Sequence, residues 1–374
     1  MMDYIDWRGD LSMAVAPFNE VDNLILSEIA YTDFDNIVKG LQSDKTITLS
    51  EAHEAYTTLK VKQDFIGHDP RKVLKKAAEA ERFKNIRLGY YEKEIDVKKE
   101  VQFTALTYFL EDGTIYVAYR GTDSSIVGWR EDFNFVYLKR TEGQNNARNY
   151  LSKVCNKVDK AVRVGGHSKG GNLAVYAAAF CEEDCKDKII AVYSNDGPGF
   201  NPEIVQTPEY QGILNKVQLF MPEFSVVGIL LSNKNERKII DSNGLGVKQH
   251  NPYTWKVLGT EFIEAEKQTL TSIIMEETFS KWYDSLSNEQ AEEVISTMFD
   301  LLDATGADTF AEIKDNKRES LKRLVKAMRG MDDSTQKAFT EAFSKLIASS
   351  WETIAEEVKK TSDKIKESLT QDIF

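Results

Sequence analysis

Cysteine is scarce in this chain: Cys155, Cys181 and Cys185 are the only three among 374 residues. An odd number without a framework excludes a fully paired disulfide scaffold and points to a reducing compartment. Cys181 and Cys185 lie four apart and are expected to meet on one helix face as core or surface thiols. With no histidine or further cysteine nearby they cannot complete a zinc site, so no metal is expected. Long apolar runs are also missing. No stretch approaches about 18 uninterrupted apolar residues, which excludes a spanning helix. The opening residues Met1-Met2-Asp3-Tyr4-Ile5-Asp6 lack the basic start and apolar core of a signal peptide, and a cytoplasmic location is expected. Basic residues are in deficit, 48 Lys and Arg against 60 Asp and Glu, for a net charge of −12. That balance opposes nucleic-acid binding and attraction to anionic lipid.

What is present describes a folded protein. The 41% hydrophobic and 10% aromatic content is too high for a disordered chain. The length suits an α/β core of roughly 250 residues plus an appendage.

The first hundred residues read as mostly helical. Asn19 caps a helix with Val21, Leu24, Ile25 and Ile29 at helical spacing. Ser50 is expected to cap a second helix, and Asp69-Pro70 to open a third running to about Arg82. Strands then follow over 85–95, 101–110 and 114–120, the last two joined at Glu111-Asp112-Gly113. A helix is expected over 142–159, and further strands over 188–194, 216–221 and 237–240. Strands alternating with helices after residue 140 predict a largely parallel sheet. From about Glu261 onward the chain reads as wholly helical, with a capping box at Ser287-Asn288-Glu289-Gln290 and helix stops at Gly306 and Gly330. The last helix carries Phe339, Phe343, Leu346, Ile354 and Val358 on one stripe, a face that buries against the parent domain or a partner.

The most informative stretch is Gly166-His167-Ser168-Lys169-Gly170, which follows an apolar-rich run and precedes an alanine-rich helix. Strand, Gly-x-Ser-x-Gly and helix together are the context of a nucleophile elbow. The flanking glycines let strand and helix approach without a Cβ clash. The Ser168 hydroxyl then stands at a helix N-terminus, where developing negative charge is favoured.

A serine nucleophile needs a base, an orienting acid and an oxyanion hole. Of the four histidines, His167 adjoins Ser168 and is expected to point away from it, and His53 and His68 precede the sheet. His250 follows the last clear strand, where the base of a Ser…acid…His order belongs. The backbone N–H of Lys169 is one expected oxyanion donor, and Thr122, in Tyr119-Arg120-Gly121-Thr122-Asp123, supplies the other through its N–H or hydroxyl. The acid is open between Asp196, in an Asn-Asp-Gly-Pro turn, and Glu223 after the next strand, with Asp241 behind them.

These segments carry a family resemblance. Tyr119-Arg120-Gly121-Thr122, Trp129-Arg130-Glu131-Asp132 and Gly166-His167-Ser168-Lys169-Gly170-Gly171 resemble the arrangement of class 3 lipases. A closer likeness is to the Mbeg1-like family of bacterial α/β-hydrolase-like proteins, through Asp196 to Gly199, Ser225 to Gly228 and Gln249 to Trp255. The resemblance implies an α/β-hydrolase-like, mostly parallel sheet with flanking helices. Residues 1–260 would form that domain with the N-terminal helices, and 261–374 a helical C-terminal extension. It implies a carboxylic-ester hydrolase needing no cofactor, acting on a small acyl-ester or lipid-like substrate.

Two positions depart from the lipase pattern. Ser225 stands where the lipase triad carries its aspartate, so Asp196 or Glu223 must replace it, or the site is a weaker Ser-His dyad. Lys169 replaces an apolar residue and is read as solvated; Asp132 either ties the oxyanion loop or caps a local helix. The rival reading is an inactive binding or scaffolding module that captures a protein partner through its C-terminal helices. In a narrower third reading those helices form a lid over the acyl pocket.

Overall fold

The computed structural model describes residues 1–59, 69–123, 125–135, 137–231, 233, 235–307, 312, 315–330, 335 and 337. His68 and the stripe from Phe339 to Val358 lie outside them.

Eight strands lie side by side in chain order. They are β1 (Ile47–Thr48), β2 (Arg87–Asp96), β3 (Val101–Phe109), β4 (Ile115–Tyr119), β5 (Val162–His167), β6 (Ile189–Asn195), β7 (Val217–Pro222) and β8 (Arg237–Ile240). The first four pair antiparallel, and β4 through β8 pair parallel. The change follows from connection length. A tight turn, with Asp112 Oδ1 accepting the Thr114 N–H at 3.0 Å, joins β3 to β4. Helices α5 (Ile126–Asn134) and α6 (Glu142–Lys157) carry the chain from β4 back to the start of β5. Helix α7 (Lys169–Phe180) and the short α8 (Glu183–Lys186) do the same from β5 to β6. A crossover of that length is what parallel pairing requires.

The side-chain period of two puts alternate residues of β4 into two cores. Tyr116 and Ala118 face α1 (Met2–Arg8), α2 (Glu20–Ile29), α3 (Leu49–Thr58) and α4 (Pro70–Glu79). Ile115, Val117 and Tyr119 face α6 and α7. Helix α2 is buried from Val21 to Ile29, polar positions included, so the apolar stripe understated it. Each polar side chain there has an interior partner. Asp22 pairs with the wholly buried Arg82, whose Nε donates to Oδ1 at 2.7 Å. Asn23 donates to Asn195 Oδ1 at 2.9 Å, and Ser27 Oγ lies 2.8 Å from Tyr116 Oη.

Several sequence expectations need correction. Thr48, not Ser50, caps α3, because Glu51 stands three residues on and closes a reciprocal capping box. Helix α4 ends at Glu79, since Ala80 turns extended and sends Arg82 into the core. Residues 261–265 are not helical. Glu261–Phe262 forms a strand pair with Val257–Leu258, and the Ala265 N–H donates to Ile239 O at 2.8 Å. After the short α9 (Pro202–Val205) and α10 (Pro208–Ile213) between β6 and β7, helices resume only at α11 (Leu270–Asp284), followed by α12 (Asn288–Asp303) behind its Ser287 capping box. Cys155 on α6 is disulfide-bonded to Cys185 on α8, and Cys181 is a buried free thiol. Helix α7 stops at Phe180 and Cys181 leaves it in extended backbone, so Cys181 and Cys185 share no helix face. The pairing removes the cysteine argument for a reducing compartment.

Helix α12 lies on α5. Ile295 and Phe299 pack against Ile126, Trp129 and Phe133, while Arg130 reaches Glu100 at 2.9 Å and Asp303 at 2.6 Å. Among the described residues no helix is long and apolar enough to cross a membrane.

Candidate active site

The parallel strands β5 and β6 end on the same side of the sheet, and the loop carrying His250 folds over that end. Open α/β sheets place their functional groups at the carboxyl ends of such strands. Strand β5 stops at His167, and α7 starts at Lys169. Ser168 joins them at φ 57° and ψ −132°, a backbone conformation an L-residue adopts only where its surroundings enforce it. The Ser168 N–H donates to Asn195 O at 2.9 Å, which anchors the turn on β6. The crossing is close enough that a Cβ on Gly170 would meet Tyr119 O at 2.1 Å. Ser168 is almost covered by this packing, at 8% exposure, with its hydroxyl at the cavity wall.

His250 closes a short 3-10 turn, Gly246–His250. Its neighbours hold the turn. Trp255 is buried and donates its indole N–H to Gln249 O at 2.8 Å. Gln249 accepts the Phe224 N–H at 3.0 Å. The Gln-His-x-Pro-x-x-Trp segment is therefore a clamp for the histidine between them.

His250 Nε2 lies 3.1 Å from Ser168 Oγ, and His250 Nδ1 lies 2.6 Å from Asp196 Oδ2. Asp196 leaves the end of β6 at φ 51°, with its N–H donating to Phe220 O at 2.7 Å. Its other oxygen accepts the Ser225 hydroxyl at 2.6 Å, and Ser225 Oγ accepts the Gly228 N–H at 2.7 Å. Ser225 thus orients the carboxylate instead of supplying one. A Cβ on Gly228 would sit 2.3 Å from Asp196 Oδ1, so only glycine leaves room for that oxygen. Neither other acid is brought to His250. Glu223 is held through its backbone, donating to Ile240 O at 3.1 Å, and Asp241 pairs with Lys256 at 2.7 Å.

Thr122 and Lys169 lie where the elbow and the loop after β4 converge. The Thr122 hydroxyl donates to Asp132 Oδ2 at 2.5 Å, so Asp132 ties the loop after β4. Lys169 is not solvated. Its ammonium is fully buried, donating to Glu131 Oε2 at 2.8 Å and to Gln102 O at 2.8 Å. Glu131 also accepts the backbone N–H groups of Gln102 and Gly143, at 3.0 and 2.9 Å. An ion pair with those extra donors locks α5, β3 and α6 to the residue beside Ser168. The Trp129-Arg130-Glu131-Asp132 segment is visible in the sequence, but the partner of Glu131 lies 38 residues away.

Ser168 and His250 open onto a cavity of about 620 Å³. Trp129, Val227, Leu245 and Val247 make its apolar walls; Tyr31, Asp132 and Asn243 add polar groups. Among the described residues no C-terminal helix lines it, because α12 covers the outer side of α5 instead.

A family model, Mbeg1-like, matches residues 77–300, more than half of the chain. The chain belongs to the Mbeg1-like family. Among solved structures this Mbeg1-like protein is similar to the native Rhizomucor miehei lipase propeptide complex. That match has a TM-score of 0.38 and 15% identity, over 69% of this chain and 78% of that one. A deletion mutant of the same complex gives a TM-score of 0.39 and 15% identity, over 69% and 76%. No curated protein matches.

In this Mbeg1-like protein Asp132 has an unusual setting. Its Oδ1 is sealed from solvent without a hydrogen-bond partner, although the side chain as a whole is only half-buried. Burial pushes its carboxyl up to about 7, against the opposing pull of Lys169 and the Thr122 hydroxyl. The folded state therefore holds a proton that the unfolded chain releases near 3.8. Stability is lost as pH rises from about 4 to about 7 and is level above that. Asp132→Asn is expected to become progressively more stable than wild type across that window. Thermal unfolding of both proteins at pH 4, 5.5, 7 and 8.5 checks it; a constant difference would refute the assignment.

Proposed function

We propose that this protein is a serine hydrolase that cleaves an acyl ester, with Ser168 as nucleophile and His250 as base. The observation that carries the reading is the unbroken relay from Ser168 Oγ through His250 to Asp196, at 3.1 and 2.6 Å. Asp196 accepts the Nδ1–H of His250, which leaves Nε2 bare and facing the hydroxyl. Ser168 Oγ attacks the ester carbonyl carbon while its proton passes to Nε2. The carbonyl oxygen becomes an oxyanion beside the backbone N–H groups of Thr122 and Lys169, each worth roughly 3 kcal/mol to such a transition state. The tetrahedral species collapses, and the alcohol leaves with the proton from His250. Water then gives a proton to the same nitrogen and attacks the acyl carbon; the bond to Ser168 Oγ breaks, Oγ takes that proton back from His250, and the acid is released. The apolar cavity walls suit the acyl chain of a small ester or lipid-like substrate.

The binding-module alternative rests on the large helical C-terminus and on Ser225 standing where lipases carry the triad acid. Asp196 at hydrogen-bond distance from His250 favours the hydrolase reading over the second of these. A fluorophosphonate probe followed by intact mass tests the hydrolase reading. One adduct is expected on wild type, and none on Ser168→Ala. Folded wild type that takes no adduct between pH 6 and 9 would overturn it.

A further inference from the structure

A second histidine lies under the first. His167 is buried at 1% exposure, and its ring centroid is 4.7 Å from that of His250, with the planes 31° apart. His167 Nε2 is 3.0 Å from the backbone oxygen of His250. A carbonyl oxygen has no hydrogen to give, so Nε2 carries the proton and donates it. On the other edge, His167 Nδ1 is 3.1 Å from Glu28 Oε1 and 3.2 Å from Tyr31 Oη. Glu28 is fully buried on α2, and the Tyr31 hydroxyl also reaches His167 O at 3.2 Å.

A carboxylate and a bare imidazole nitrogen facing each other at this distance in a dry interior would repel. One proton therefore sits between Glu28 and His167 Nδ1, whichever atom holds it, and the two groups together are neutral. This neutrality has a use. An unpaired imidazolium stacked under His250 would oppose the positive charge His250 must take from Ser168; Glu28 removes that charge while the Nε2–H is kept.

We propose that Glu28 and His167 form a second imidazole–carboxylate pair that positions His250 by its backbone and ring face. The inference rests on the reading of Ser168 and His250 as nucleophile and base. It makes α2, outside the segments that resemble lipases, part of the machinery. His250 is then held on three sides: Asp196 fixes Nδ1, Ser168 meets Nε2, and His167 pins the carbonyl behind the ring. Both are positioning residues, since neither touches the reacting atoms.

Two measurements on the full chain test this. The first needs no activity. With only four histidines, ¹⁵N-histidine NMR resolves each ring, assigned by single substitutions. At pH 7 His167 is expected to show a protonated, slowly exchanging Nε2, and Glu28→Gln to move its Nδ1 shift. An Nδ1–H tautomer with bare Nε2, or an Nδ1 shift indifferent to Glu28→Gln, would overturn the pair. The second measurement separates positioning from packing. A glutamine amide nitrogen reaches the place of Nε2, whereas an asparagine reaches only that of Nδ1. His167→Gln is expected to keep the maximal fluorophosphonate rate within about threefold. His167→Asn is expected to lose on the order of 10²-fold, at unchanged half-saturating probe, from a slight misplacement of the base. Equal rates in the two variants would refute positioning. A wild type that takes no label would refute the hydrolase reading, and the NMR result alone would then decide the pair.

Discussion

Asp196→Asn is expected to slow acylation of Ser168 on the order of 10⁴-fold, while Glu223→Gln leaves the rate unchanged. The reason is tautomeric. Asp196 Oδ1 accepts the Ser225 hydroxyl at 2.6 Å, and Ser225 Oγ is itself fixed by the Gly228 N–H. An asparagine placed there must turn its carbonyl oxygen to Ser225 and its NH₂ to His250. His250 Nδ1 then becomes an acceptor, the proton moves to Nε2, and the nitrogen facing Ser168 can no longer take the hydroxyl proton. Ser225 thus prevents the amide from flipping to a harmless orientation. Ser225→Ala should relax that lock, so Asp196→Asn with Ser225→Ala is expected to recover part of the rate. Acylation rates from burst kinetics or probe labelling check all three. A full-rate Asp196→Asn enzyme beside a slow Glu223→Gln enzyme would move the acid to β7.

Glu131→Gln is expected to lower folding stability by about 3–5 kcal/mol, the usual consequence of leaving one partner of a buried ion pair behind. Lys169 and Glu131 side chains are 0% and 1% exposed, so neither charge has recourse to water. The pair is not a gain over apolar packing in itself. Replacing both, as Lys169→Met with Glu131→Leu, is therefore expected to recover much of the loss. Recovery stays incomplete, because the Gln102 and Gly143 N–H groups lose their acceptor, at about 1–3 kcal/mol each. Denaturant unfolding of the three proteins gives the comparison; a loss below about 1 kcal/mol for Glu131→Gln would mean a hydrated pair. The single substitution should also slow acylation, since Lys169 starts α7 and offers the N–H proposed for the oxyanion.

The elbow was legible because its requirements are local. Strand, serine between glycines, and helix are adjacent in sequence, and the close crossing at Gly170 admits no side chain. Strands β2 to β8 were legible for the same reason, through alternation and turn residues. Helix α3 misled by two residues because Thr48 and Ser50 are equally good caps, and the choice falls to Glu51. In the sequence Asp196 and Glu223 are equally placed to be the acid, because both follow strands on the correct side of the elbow. Which one faces His250 depends on the turn after β6 and on the room left by Gly228, and neither is visible in spacing. Lys169 misled because a lysine is ordinarily solvated; its burial depends on Glu131 and Gln102, from two other elements.

The largely α/β order of elements, the elbow and its serine, and the histidine downstream of the last strand can all be read along the chain. Each is set by short-range backbone sterics, periodicity and chain order. Asp196 meets His250, Ser225 serves that carboxylate, Cys155 pairs with Cys185, and Glu28 and His167 lie beneath His250 only once the chain has folded. These pairings join residues between 29 and 139 positions apart. Their partners are chosen by which side chains converge once the sheet closes over α2 and α7, and by the cost of leaving any buried charge or donor unpaired.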